Sequence, residues 1–127
     1  MIKQAVHFPT TPEVLYDILM DEKKHGDFTN AKAKIDPRVG GKFSVWDGYA
    51  TGENVELIPG KKIVQTWRAS DWPNDVMSKV TFVFKPAEAG TELEFTHENV
   101  PREFEKDIEQ GWEDYYWTPL KRYVNSL

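Results

Sequence analysis

Three histidines, the carboxylates of one C-terminal segment and a few polar residues among apolar neighbours are the side chains here that could do chemistry. His7, His25 and His97 share no ligand spacing and the chain has no cysteine, so neither a zinc site nor thiolate chemistry is expected. No nucleophile is identifiable for His97 to serve as a general base. The acids of "EFEKDIEQGWED" (103–114) fall mostly on one wet helix face. Glu105 and Glu109 fall on the apolar stripe near its amino-terminal end, where the helix dipole favours them. "GGKF" (40–43) reads as a backbone device, because a phosphate cradle needs a helix N-terminus and more glycines after it. A non-catalytic chain without cofactor or metal is therefore expected.

What remains is binding. Gln65 lies between Ile63 and Trp67, Ser78 lies between Val76 and Val80, and His97 follows Phe95 at strand spacing. Alternation turns all three inward. Buried polar groups need partners. Either they bond locally near a sheet rim, or they line a cavity with Trp67, Phe82, Phe95, Trp112 and Tyr116 and orient the polar end of an apolar ligand. Arg68, on the face opposite Trp67, is expected in solvent. Trp72, in the loop "DWPND" (71–75), either caps the core edge or anchors a partner.

The elements that must position these residues follow from periodicity. Residues 2–7 read as a strand. Thr11 is a candidate N-cap with Pro12 at the first helical position, ahead of Val14, Leu15, Ile18 and Leu19 at helical spacing. "DEKKHGDF" (21–28) reads as a break and a second short helix. From residue 31 the period becomes two, with turns at Asp47-Gly48 and Pro59-Gly60. Alternation in "VMSKVTFVFKP" and "TELEFTHEN" marks antiparallel strands with one wet and one covered face.

The cover is residues 102–127, about 39 Å long as a helix. At 100° per residue Phe104, Ile108, Trp112, Tyr115, Tyr116, Leu120, Tyr123 and Leu127 share a stripe. Gly111 is a poor helix former that permits close backbone approach, and Pro119 predicts a kink or break at 115–119. Trp117 falls about 140° from the stripe centre at that spacing, so it is either packed by another element or turned toward a partner.

Composition sets the bounds. A chain of 127 residues is expected to be one domain, 1–127. It is rich in aromatics (5 Trp, 5 Tyr, 7 Phe) and carries a net charge of −5, which argues against nucleic acid. No signal peptide or membrane span is read, so a cytoplasmic location is expected.

In order, "GGKFSVWDG" (40–48), "GENVELIPGKKIVQTWR" (52–68), "DWP" (71–73), "VTFVF" (80–84), "GTELEFTHENVP" (90–101) and "QGWEDYYW" (110–117) resemble the activator of heat-shock protein 90 ATPase homologue family, within the START-like (SRPBCC) superfamily of the birch-pollen allergen. The similarity points to the carboxy-terminal domain of the eukaryotic co-chaperone. It implies an α+β helix-grip fold: a curved antiparallel sheet around a long C-terminal helix, with two short helices. It implies docking to a heat-shock-protein-90-type chaperone and modulation of its ATPase, with Trp72 and Trp117 as candidate contacts. One module is expected to act more weakly than two tethered ones. The alternative is a carrier or sensor of a small apolar molecule held between sheet and helix.

Overall fold

The computed structural model describes residues 1–73 and 75–127; Asn74, inside the loop expected at 71–75, lies outside the described residues. β1 (Ile2–Phe8) leads into α1 (Pro12–Met20) and α2 (Glu22–Thr29). Thr11 caps α1 by accepting the Val14 amide, and Pro12 opens the helix as the sequence predicts. Asp21 ends α1 and its side chain caps α2 through the Lys24 amide, so one residue makes the break.

Six strands follow: β2 (Lys34–Ile35), β3 (Lys42–Val45), β4 (Ala50–Ile58), β5 (Lys62–Ala69), β6 (Ser78–Ala87) and β7 (Gly90–Glu98). With β1 they form one antiparallel, curved sheet in the order β1-β7-β6-β5-β4-β3-β2. Gly40 has φ +82°, and a Cβ on Gly41 would sit 2.5 Å from the Asp36 carbonyl oxygen, so the pair is the backbone device expected of it. In β6 and β7 burial alternates: Val80, Phe82, Phe84, Leu93, Phe95 and His97 face the core, and Lys79–Glu98 and Lys85–Glu94 pair on the wet face.

The covering rod runs from a 3₁₀ turn (Arg102–Phe104) through α3 (Glu105–Trp112) and a π turn (Glu113–Trp117) to α4 (Thr118–Asn125). Pro119 has no amide to give the Tyr115 carbonyl and its ring crowds that position. The turn before it widens: the Thr118 amide reaches back five residues to the Glu113 carbonyl. The irregularity predicted near 115–119 is therefore a π turn, and the helix continues beyond it.

That turn overturns three expectations built on 100° per residue. Trp117 is 1% exposed and stacks on Trp112, five residues back, with ring centroids 5.6 Å apart and planes 23° apart. Tyr115, placed on the inner stripe, is 67% exposed. Downstream Leu120 is buried as expected, but Val124 joins it and Leu127, placed on the stripe, points to solvent. Gly111 admits no close backbone neighbour either: a Cβ there would meet only Tyr115 Cδ2, at 3.9 Å.

Candidate functional site

The inward polar residues form two separate networks. In the first, the Ser78 hydroxyl donates to the Trp67 carbonyl at 2.5 Å. Its single proton is thereby used, so at 2.7 Å His97 Nε2–H must donate to Ser78 Oγ. His97 Nδ1 is then bare and accepts the Trp112 indole N–H at 3.1 Å. Every side-chain polar atom of Ser78, His97 and Trp112 is satisfied in this network, and it ties β5, β6 and β7 to the helix. Loss of hydration, with a smaller contribution from the N-terminal ammonium, pushes His97 down to about 3. An imidazole with both nitrogens engaged inside the core is a strut.

In the second network Gln65 donates to Asn54 Oδ1 at 3.0 Å, and Asn54 Nδ2 holds the Asp36 and Arg38 carbonyls. Gln65 is thus bonded at the β4–β5 pair beside the bulge at Asn54/Glu56, the local-bonding case of the two left open by the sequence. Arg68 departs from expectation. Instead of standing in solvent, its guanidinium donates to the Trp72, Pro73 and Val76 carbonyls and clamps the loop after β5.

The clamp explains Trp72. Its ring is 3% exposed and packs on Trp67 at 5.4 Å and Phe104 at 6.2 Å, so it caps the core edge and offers a partner no surface. For Trp117 the packed case of the two left open holds, and the partner-facing one does not: its ring meets Phe95 at 5.2 Å and Phe8 at 6.4 Å, and its indole N–H donates to Gln4 Oε1 at 2.6 Å. Both proposed contact residues are core residues, because an apolar ring of this size next to an open sheet end is stabilised most by burial.

Gln65, Trp67, Phe82, Trp112 and Tyr116 do converge under the helix, around a cavity of about 20 Å³. Ser78, Phe95 and His97 lie outside its lining. That volume holds about one water molecule and no organic ligand. The aromatic rings fill the rest: Phe95 lies 4.4 Å from Trp112, and Tyr116 lies 4.9 Å from Trp112 and 5.2 Å from Trp46. The carrier alternative thus loses the space it requires. His25, passed over in the sequence as one of three scattered histidines, also lines this cavity, with Nε2 2.9 Å from the Tyr116 hydroxyl. Burial pushes it down to about 4, and raises the Tyr116 phenol. Among the described residues no group of three or more potential ligands could hold a metal ion.

The open space is outside. A groove of about 450 Å³ runs between α3 and the β3–β4 turn, with Trp46, Tyr49 and Tyr115 on its walls and Asp71 and Asp107 among its lining. None of Trp46, Tyr49, Asp71 and Asp107 is singled out by the spacing and motifs of the sequence, which place Tyr115 inward. Trp46, Asp47 and Gly48 all have positive φ, and this unusual turn swings Trp46 against the helix, 6.0 Å from Trp112. The signal available in the sequence was an aromatic on each side of an Asp-Gly pair.

A curved antiparallel sheet holding a C-terminal helix in its concavity, with two short helices between the first two strands, defines the helix-grip class. Residues 9–125 match the family model described as Activator of Hsp90 ATPase homolog 1-like protein, and the chain belongs to that family. The human activator of 90 kDa heat shock protein ATPase homolog 1 is 35% identical over 115 residues, 91% of this chain and 34% of its own length. The Dictyostelium discoideum homolog is 38% identical over 116 residues, 87% of this chain and 29% of its own. The chain thus spans about a third of the length of the curated relatives it matches. Among solved structures, an HSP90 activator from Plasmodium falciparum superposes with a TM-score of 0.91 at 27% identity, covering 98% of this chain and 95% of that one. The Aha1 dimer from Colwellia psychrerythraea, 20% identical with a TM-score of 0.82, shares the fold, over 97% of this chain and 94% of that one.

Proposed function

We propose that residues 1–127 act as one non-catalytic domain that docks on a heat-shock-protein-90-type chaperone in the cytoplasm and modulates its ATPase. The observation that carries this is the likeness to the Plasmodium falciparum HSP90 activator over nearly the whole of both chains. The interior supports a binding role over a catalytic one. His97 has both nitrogens committed to Ser78 and Trp112 within the core and offers neither to a substrate.

The action is thermodynamic. A binder changes chaperone turnover only through unequal affinity for the conformations of the ATPase cycle. The test is steady-state ATP turnover by a purified heat-shock-protein-90-type chaperone as the domain is added. A saturable change in rate is expected. An unchanged rate, with no complex by analytical ultracentrifugation, refutes the proposal.

A further inference from the structure

The groove between α3 and the β3–β4 turn is walled by aromatic rings and edged by acid. Trp46, Tyr49 and Tyr115 line it, Tyr49 is 38% exposed, and Trp67 and Trp112 contribute the floor with Ile108. The rings are contiguous: Tyr49 to Trp67 is 6.5 Å, Trp67 to Trp112 5.7 Å and Trp112 to Trp46 6.0 Å. Asp71 and Asp107 are both exposed and approach from opposite elements, the loop after β5 and α3. Among the described residues neither carboxylate is in an ion pair, and no basic side chain lines the groove. Their field reaches across it: burial first, then Asp71 and Asp107, make the Tyr49 phenol harder to ionise. Gly111, with no side chain, keeps the helix side open.

Aromatic faces attract cations through their quadrupoles, and two unpaired carboxylates supply the complementary charge. We propose that this groove binds a basic side chain, a lysine ammonium or an arginine guanidinium, carried on an extended segment of a partner polypeptide. A groove of about 450 Å³ exceeds what one ammonium group fills, and its apolar floor suits the aliphatic stem and an apolar neighbour. This goes beyond the chaperone reading, and its test uses no chaperone, so the two stand or fall separately.

The probes are the capped peptides acetyl-Leu-Lys-Leu-amide, its arginine counterpart and acetyl-Leu-Gln-Leu-amide, with tetramethylammonium as a free cation. Each is titrated into ¹⁵N-labelled protein while the indole N–H signals of Trp46, Trp67 and Trp112 are followed. The basic peptides should bind at least about tenfold more tightly than the glutamine peptide and weaken with added salt. Replacing both acids (Asp71→Asn with Asp107→Asn) should abolish that preference. Tyr115→Ala should weaken binding about fivefold with an unchanged fold, since the ring is exposed. Equal binding of lysine and glutamine peptides, or no indole shift with any peptide, overturns the proposal. Tetramethylammonium binding as tightly as the lysine peptide reassigns the groove to a free organic cation and overturns the polypeptide assignment.

Discussion

His97 shows how one side chain can look functional and be structural. Its inward parity between apolar residues was legible in the sequence; its partners were not, because Ser78 and Trp112 lie on other elements and meet it only after folding. Ser78→Ala removes the acceptor of a buried N–H and should cost about 1–3 kcal/mol, read by urea denaturation, with chaperone binding unaffected in the folded fraction. A pH dependence follows from the same residue and His25. Both imidazoles sit below their ordinary 6.5, at about 3 and about 4, because burial strips their hydration. His25 packs among Phe28, Trp46 and Tyr116, and His97 among Trp67, Trp72, Phe95 and Trp112. In the unfolded chain each gains a proton below about pH 6.5, while the folded chain gains none until much lower. The contribution of the neutral forms is therefore complete above about 6.5 and is lost as pH falls toward 4 and then 3. Denaturation midpoints should decline across that window, and His25→Phe should make the decline shallower by about 1.4 kcal/mol per pH unit.

At the scale of elements, the strands and the two short helices were readable because their signals are local: alternation, the Thr11 cap, Pro and Gly punctuation. The C-terminal rod is a rod with Tyr116 and Leu120 inward as the spacing predicts, but Tyr115, Trp117, Val124 and Leu127 lie on the face opposite to the one it assigns them. A wheel at 100° per residue has no way to include the π turn, which arises where Pro119 withholds an amide and the Trp112–Trp117 stack stabilises the wider repeat. The two assignments make opposite predictions for neighbouring residues. Trp117→Ala should destabilise by about 3–5 kcal/mol through the cavity it leaves in the core. Tyr115→Ala should stay within about 0.5 kcal/mol. Equilibrium denaturation of the two variants decides between the faces, and the reverse order would restore the regular α-helix.

For the whole molecule, the sheet and rod are joined by a crowded set of aromatic rings, and that crowding decides what the protein can hold. The ordered motifs made the architecture legible. The filling of the interior was not, because it depends on how Trp46, Trp67, Phe95, Trp112 and Tyr116 interlock in three dimensions, which no spacing rule encodes. With about 20 Å³ left beneath the helix, the interior has no room for an organic ligand, and the proposed docking is a matter of the outer surface. Family membership and the whole-chain likeness to an HSP90 activator then indicate which partner to try. A protein that modulates an ATPase without chemistry of its own must discriminate between conformations. The decisive measurement is the affinity of the pure domain for a heat-shock-protein-90-type chaperone in its nucleotide-free form and again when closed around a non-hydrolysable ATP analogue. The account predicts affinities differing at least about fivefold, the lower end of ordinary allosteric coupling. Equal affinities, or no binding to either form, contradict it.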